Sequence, residues 1–323
     1  MKKRKRKKLL SLLLKLSLSA FLILLVLKKM DVEKLTALVK GANYGCFALA
    51  FITITIAQVF GAMRMRYNLK AGDFNISSTY SIGMYFIGTL FNIVLPGGIG
   101  GDGYRAYYFH KRFKFPWTKT ILIILRGRSS GLFFLMFFLF VFAFFYKDHL
   151  EFIPHVTEVL IACILLIFPA YSICTKMFLK EPLKVQLGGL KYSFFSQVFF
   201  LAGIIAILHG IGNYGNIIGY IMVFLIANIV AVIPISFGGI GLREFTYITL
   251  AGHIGLNSDI GVTASFLYYL IYTSTAFLGF IPYMMLRKMD LNELIYQRKI
   301  HQEKYTIVDA EVDHEWEEKV DIT

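Results

Sequence analysis

Two breaks rich in glycine and proline interrupt apolar segments of this sequence, one in each half of the chain. The first is NIVLPGGIGGDGYR at 92–105, and the second is PISFGGIGLRE at 234–244. Neither can form a helix interior, because each glycine there costs about 1 kcal/mol and proline about 3 kcal/mol. In a membrane such backbone survives only where protein buries it or where it lines a watery cavity, and two breaks in two halves point to a substrate site. The residues that break the backbone are Pro96, Gly97, Gly98, Gly100, Gly101, Pro234, Gly238, Gly239 and Gly241.

The composition is that of a polytopic membrane protein. Of the 323 residues 57% are hydrophobic and 31 are phenylalanine, and the mean hydropathy of +0.62 exceeds that of an ordinary soluble domain. Part of the net charge of +14 lies in the run KKRKRKK at 2–8, directly before an apolar segment. A basic block in this position is typical of a cytoplasmic anchor on anionic lipid. We do not expect nucleic-acid binding, because no folded nucleic-acid module accompanies the run.

The hydropathy pattern predicts six full spans, at about 9–27, 44–63, 118–146, 155–175, 192–211 and 258–285. The first imitates a signal peptide, but its apolar run continues past the SLS trio at 17–19, so we expect it to be retained. Two further apolar arms lead into the breaks. If the first arm crossed fully, the basic cluster HKRFK at 110–114 would lie outside, against the positive-inside rule. We therefore predict re-entrant hairpins at about 76–115 and 217–252.

These elements predict an all-α inverted repeat with both termini in the cytoplasm. Each half holds three crossings and one hairpin, and an odd number of crossings inverts one half relative to the other. The expected domains are a basic N-terminus (1–8), a transmembrane domain (9–288, with halves 9–150 and 151–288) and an acidic cytoplasmic tail (289–323). Ten acids between Asp290 and Asp321 mark that tail. The alternative of eight plain spans keeps the same termini but places two basic loops outside.

Charges beside the second break are candidates for ligand binding. Between residues 192 and 286, Arg243 is the only lysine or arginine, and Glu244 is one of two acids. A charge at membrane depth costs about 3 kcal/mol or more, so it should face a cavity and have a partner. Free amides at a helix start also favour anions. The alternative is that both residues lie at the outer interface and pair with lipid headgroups.

Charges beside the first break extend this pattern. Asp102 and Arg105 lie three residues apart and share a face of any helix that begins at the break, either as a structural ion pair or in direct ligand contact. Arg126 and Arg128 follow on the next span, where Arg126 could instead reach the cytoplasmic interface. Arginine suits phosphate because its planar fork binds two oxygens and keeps its charge.

Other chemistries find no support in the sequence. The GxGxxG pattern at 98–103 lacks the strand–helix unit and the downstream acid of a dinucleotide site. The seven histidines are dispersed, and the three cysteines have no metal-ligand spacing. We therefore expect no metal, no cofactor and no enzymatic activity.

The segments LPGGIGGDGYR at 95–105 and PISFGGIGLRE at 234–244 resemble the two signatures of the lysylphosphatidylglycerol synthase transmembrane, or flippase-like, family. The resemblance covers about residues 9–288. It implies a membrane translocator for aminoacylated phospholipids or related lipid-linked anions. Family members often carry an acid before the arginine of the intervening span, where this sequence has Gly127. About 37 residues follow the membrane region, too few for an aminoacyl-transferase domain, so the chain resembles the stand-alone members.

Two functions follow as hypotheses for a protein of the cell membrane. As a flippase, it would hold the phosphate of an anionic lipid with Arg105, Arg128 and Arg243, while Asp102 and Glu244 hold these arginines when the site is empty. As an accessory protein, it would bind a lipid-linked sugar carrier for a glycosyltransferase or a polymer synthase. Anionic membrane lipids are the expected partners in both cases, with a lipid-modifying enzyme or glycosyltransferase as a further partner.

Overall fold

The structure is a computed structural model, and it describes residues 38, 40–94, 100–150, 154–232 and 241–297. The described residues form helices and no strands. The predicted first span, the basic N-terminus, residues 95–99 of the first break, residues 234–240 of the second break and the tail beyond 297 lie outside these ranges. The helices are α1 (Tyr44–Ala71), α2 (Ser78–Val94), α3 (Gly100–Phe113), α4 (Trp117–Phe145), α5 (Val156–Leu179), α6 (Leu183–Gly210), α7 (Ile217–Val232), α8 (Leu242–Leu250), α9 (Ser258–Phe277) and α10 (Phe280–Met284), followed by α11 (286–297).

Five helical stretches are long and apolar enough to cross a membrane: α1, α4, α5, α6 and the stretch Ser258–Met284. They correspond to the five full spans predicted within the described residues, so the prediction of an all-α polytopic protein is confirmed. Two boundaries differ. α1 continues to Ala71 instead of ending near residue 63, and α6 begins at Leu183 instead of residue 192. Both extensions contain lysine or arginine, which lower hydropathy but are good helix formers.

The two arms that lead into the breaks are shorter. α2 has 17 residues and α7 has 16, so each is about 25 Å long, less than the ~30 Å core of a bilayer. α2 and α3 are antiparallel, because the ring of Phe91 stacks on Tyr104 at 4.1 Å and the ring of Tyr80 meets Phe113 at 5.7 Å. The chain therefore folds back at the first break. The inverted relation of the two halves stays a prediction.

The second arm also folds back. The Tyr247 hydroxyl, in the second half of α8, donates to the carbonyl of Tyr220, near the start of α7, at 3.0 Å. This pair belongs to the larger apolar core, where Ile204, Ile207 and Phe224 are also buried. Tertiary burial thus fixes the second hairpin against α6.

Polar side chains join the long helices, and apolar ones face outward. The Ser193 hydroxyl of α6 donates to Ser130 of α4 at 2.9 Å, and Ser196 donates to the Ala57 carbonyl of α1 at 2.9 Å. On α5, Leu165 and Phe178 are 68% and 75% exposed. Interhelical hydrogen bonds inside and apolar side chains outside are what a lipid environment favours.

The first residues of the predicted acidic tail pack against the first hairpin. Asp290 and Glu293 of α11 are 6% and 1% exposed. The Ser77 amide and hydroxyl both donate to the Glu293 carboxylate, the hydroxyl at 2.6 Å. Sequence analysis could not predict this contact, because the partners lie more than 200 residues apart.

Candidate anion-binding site

Four helices of the first half, α1 to α4, enclose a cavity of about 190 Å³. Its charged lining residues are Arg64, Asp102, Arg105 and Arg128. Asn68, Tyr85, Asn92 and Thr120 add polar groups, and the rest of the lining is glycine and apolar side chains. The structure therefore brings Asp102 and Arg105 of α3 together with Arg128 of α4.

Glycines at the start of α3 allow this helix to approach α2 closely. A Cβ atom on Gly101 would lie 1.8 Å from the Gly88 carbonyl oxygen. The Gly101 N–H donates to Asn92 Oδ1 at 2.8 Å and so satisfies one of the free amides of the first helical turn. Gly100 and Gly101 thus lie inside α3 instead of breaking the helix, and they place Asp102 and Arg105 against α2.

Asp102 forms ion pairs with two arginines on different helices. One carboxylate oxygen lies 3.0 Å from Arg105 Nη1, and the other lies 2.6 Å from Arg128 Nη2 and 2.7 Å from Arg128 Nε. Such charge-assisted bonds are the stronger class of hydrogen bond. The Arg105 and Asp102 side chains are 9% and 12% exposed, while Arg128 is 37% exposed. The acid that pairs with Arg128 therefore comes from α3, in place of the residue before Arg128.

Arg105 lies on the inner wall of the cavity. Its guanidinium carbon is 4.8 Å from the centre of the Tyr85 ring, a cation–π contact. A Cβ on Gly88 would lie 2.0 Å from Arg105 Nε, so glycine at position 88 makes room for this side chain. The Nε atom is buried and has no hydrogen-bond partner in the part of the chain that the structure describes.

Arg64 is a lining residue that the sequence analysis missed. The hydropathy pattern ends the second predicted span near residue 63, but α1 continues to Ala71 and carries Arg64 into the cavity. Its Nη1 donates to Ser193 Oγ of α6 at 3.0 Å. A signal was present, because Gly61, Arg64 and Asn68 recur at the spacing of one helical face.

Gly127 lies beside Arg64. A Cβ added there would lie 3.8 Å from both Arg64 Nε and Asn68 Nδ2, an ordinary van der Waals distance. Position 127, where family members often carry an acid, therefore neighbours Arg64 of α1.

Arg126 does not line the cavity. Its Nη2 donates to the Leu179 carbonyl at the end of α5, at 3.2 Å. Nearby Glu181, between α5 and α6, is 3% exposed. Burial raises the pKa of the Glu181 carboxyl, and the charge of Arg126 opposes this shift. Arg126 therefore belongs to a separate charged contact at the helix ends.

Arg243 and Glu244 also lie apart from the cavity lining. Arg243 is half-buried in the first turn of α8, and its Nε has no hydrogen-bond partner among the described residues. The expectation that Glu244 holds Arg243 is not met: the Glu244 carboxylate accepts from the Gly241 N–H and from Ser265 Oγ, both at 2.9 Å. It caps α8, which begins after Gly241 at φ +82°.

The Tyr272 side chain relates the two arginine regions. It lies near Arg243 of the second hairpin and near Arg105 and Asp102 of the first. One residue of α9 therefore neighbours arginines of both hairpins.

The break residues Pro96, Gly97, Gly98, Pro234, Gly238 and Gly239 lie outside the described residues.

The sequence matches the family described as "Lysylphosphatidylglycerol synthase TM region" over residues 12–184. This match spans more than half of the chain. The protein belongs to this family. No curated protein matches the sequence.

The family match contains the whole cavity of this lysylphosphatidylglycerol synthase TM region protein. Every lining residue, from Gly61 to Arg128, falls within 12–184. Arg243 and the second signature lie beyond it. In the residues that the structure describes, no group of three His, Cys, Asp or Glu side chains could hold a metal ion. In the described part of this family member, guanidinium groups outnumber carboxylates in the cavity lining, and this positive excess favours binding of an anion.

Proposed function

We propose that this protein is a translocator of anionic phospholipid or another lipid-linked anion, with aminoacylated phosphatidylglycerol among the candidates. It acts in the cell membrane with both termini in the cytoplasm, and it moves its substrate without chemical change. The observation that carries the proposal is the cavity, where three arginines face a single acid, Asp102.

The depth of the arginines supports a ligand at the site. Arg128 is eleven residues from the start of α4 at Trp117, and Arg64 is seven residues from the end of α1 at Ala71. These separations correspond to about 16 Å and 10 Å along the helices. If α1 and α4, each more than about 40 Å long, are centred on a hydrocarbon core of about 30 Å, both arginines lie within that core. Charges at that depth are expensive unless they serve a substrate path.

The ion pairs suggest how a phosphate would enter. Arg128 is the most exposed of the three partners in the Asp102 cluster, so an incoming phosphate meets it first. Phosphate oxygens then compete with the Asp102 carboxylate for Arg128, and Arg105 completes the binding site. Arg243, on the second hairpin, receives the headgroup when the hairpins shift around the site. The acyl chains stay in the lipid bilayer, so they need no polar path through the protein.

The test measures movement of fluorescent phosphatidylglycerol across liposomes that contain the purified full-length protein. Wild type should move the lipid, and Arg128→Gln should reduce the rate at least tenfold, because one charge-assisted contact contributes about 1.5–3 kcal/mol. Lys119→Gln removes a charge from the same helix at an exposed pair with Asp73, and it should keep the wild-type rate. Equal rates for wild type, Arg128→Gln and empty liposomes would reject the proposal.

The positive excess in the cavity also suits an accessory protein that binds the phosphates of a lipid-linked sugar carrier and presents them to a glycosyltransferase or polymer synthase. In that case purified protein would bind lipid through Arg128 but would not move it. A synthase would then co-purify with the wild type and transfer sugar more slowly when this protein carries Arg128→Gln.

A further inference from the structure

The charge balance of the cavity restricts the headgroup that it can hold. Among the residues that the structure describes, its charged lining consists of Arg64, Arg105 and Arg128 against Asp102. Arginine stays protonated in proteins. These described side chains together carry an excess of two positive charges. A ligand that neutralises this excess carries two negative charges.

The cavity offers guanidinium donors for such a ligand, whereas the acceptor left over for a cation among the described lining residues is the uncharged Asn68 Oδ1. Both Asp102 oxygens are already engaged, one with Arg105 and the other with Arg128. The buried Arg105 Nε has no partner within the described residues. An ammonium group in this cavity would face guanidiniums, with a carboxylate that two arginines already hold.

Lipid headgroups that contain phosphate differ in net charge, and the excess positive charge of the cavity would distinguish between them. A phosphate monoester carries about −1.5 to −2 at pH 7, because its second pKa is about 6. A phosphodiester such as phosphatidylglycerol carries one negative charge. A lysyl ester of that lipid adds two amino groups and becomes net positive.

We propose that the cavity selects a lipid whose headgroup is a phosphate monoester or a diphosphate, over phosphodiester and aminoacylated lipids. The inference rests on the proposed function, since it names the substrate class of the same site. Arg64 makes the difference, because without it the cavity would hold a net charge of +1 and a phosphodiester would suffice. A volume of about 190 Å³ accommodates a compact headgroup of this kind, equal to roughly six water molecules at ~30 Å³ each.

The experiment measures binding to the purified full-length protein by native mass spectrometry. The probes are phosphatidate, phosphatidylglycerol, lysylphosphatidylglycerol and inorganic phosphate, at pH 7.5. Phosphatidate should bind roughly tenfold more tightly than phosphatidylglycerol, as expected for one added charge-assisted contact, and lysylphosphatidylglycerol should bind most weakly. Arg64→Gln should remove the preference, while Lys119→Gln, at an exposed position outside the cavity, should keep it.

Arg64→Lys, which keeps the charge, provides the second variant in case Arg64→Gln fails to fold. It should retain the order of the lipids. If phosphatidylglycerol or its lysyl ester binds as tightly as phosphatidate, and binding still depends on Arg128, the inference is wrong and the proposed function stands.

Two other outcomes bear on the proposed function. If no lipid binds in a way that depends on Arg105 or Arg128, both the inference and the proposed function fail. If inorganic phosphate displaces phosphatidate at equal concentration, the preference for a dianionic phosphate is supported but the ligand is soluble phosphate, and the lipid assignment is overturned.

Discussion

The Tyr108 hydroxyl donates to the Asp290 carboxylate at 2.6 Å, and this bond ties α3 to a helix 182 positions further along the chain. The same carboxylate accepts from Tyr80 of α2 at 2.9 Å and lies 3.1 Å from Arg112 Nε of α3. One buried acid of α11 therefore holds both arms of the first hairpin.

Replacing Asp290 should destabilise the protein. Asp290→Ala leaves two tyrosine hydroxyls and Arg112 without their partner, and we expect a loss of about 2–4 kcal/mol, since each buried group left unsatisfied costs about 1–3 kcal/mol. Thermal unfolding of the detergent-solubilised protein measures this. Leu291→Ala, at a 60% exposed neighbour, is the control and should change little. Equal melting of both variants would contradict the role of Asp290.

Two glycines of α3 should respond in opposite directions to alanine. A Cβ on Gly101 would meet the Gly88 carbonyl oxygen at 1.8 Å, whereas a Cβ on Gly103 would find nothing within 4 Å. Gly101→Ala should therefore destabilise by about 1–3 kcal/mol or more through overpacking. Gly103→Ala should stabilise by about 0.5–1 kcal/mol, because alanine is the better helix former. Melting curves of the two variants, which differ only in position, decide this; a stable Gly101→Ala would refute the close approach of α2 and α3.

Removing Glu244 should affect stability independently of Arg243. Glu244→Ala loses the contacts to the Gly241 amide and to Ser265, so we expect a loss of about 1–3 kcal/mol. Thr249→Ala, at an exposed position on the same helix, should be nearly neutral. The same loss should be seen in a background that already carries Arg243→Gln. If the Arg243→Gln background abolished the effect, Glu244 would act through Arg243 after all.

Arg243→Gln should separate movement of the substrate from its binding. Because Arg243 does not line the cavity, lipid binding measured by native mass spectrometry should stay within about twofold of wild type, since no charge-assisted contact of the cavity is removed. Translocation should fall at least tenfold, because the charge-assisted contact that we propose between Arg243 and the lipid phosphate is lost. Arg128→Gln, measured in parallel, should lose both properties. If Arg243→Gln lost both lipid binding and translocation, the two arginine regions would form one site.

Glu181 should make stability depend on pH. Burial raises the pKa of its carboxyl in the folded protein above the ordinary value of 4.5, so the folded state binds the proton more tightly than the unfolded state. The associated stability is present below pH 4.5 and is lost as the pH rises through the folded pKa. Glu181→Gln should remove this loss, so it should melt above wild type at pH 7.5, with the difference shrinking toward pH 4.5. A difference that grew toward low pH would refute the assignment.

The local sequence pattern was sufficient to predict the helices of this protein but not the contacts between them. The apolar segments predicted the five described spans and the two short arms, because hydropathy and length are properties of a single segment. The cap by Glu244 was not predicted, although Glu244 lies three residues after Gly241, which is the spacing of a capping carboxylate. The pair of Asp102 with Arg128, and that of Tyr108 with Asp290, join different helices, and nothing in one segment announces them.

Arg64 shows why the site was only partly predicted. Its charge lowered the hydropathy and ended the predicted span, although arginine favours helix and the helix continues for seven more residues, to Ala71. A buried arginine is allowed there because Gly127 and Gly131 of α4 leave space next to it. Such complementarity between two helices has no counterpart in a hydropathy profile.

Because Asp290 holds α2 and α3 together, we expect these two helices to move as one rigid unit. Arg105 and Asp102 both belong to α3 and travel with it, so the distance between them stays constant in every state. Arg128 belongs to α4, which Asp290 does not touch. We therefore expect the ion pair between Asp102 and Arg128 to break and re-form in each cycle of the proposed translocation. A pair of spectroscopic labels on α3 and α4 would measure the corresponding change in the distance between these helices.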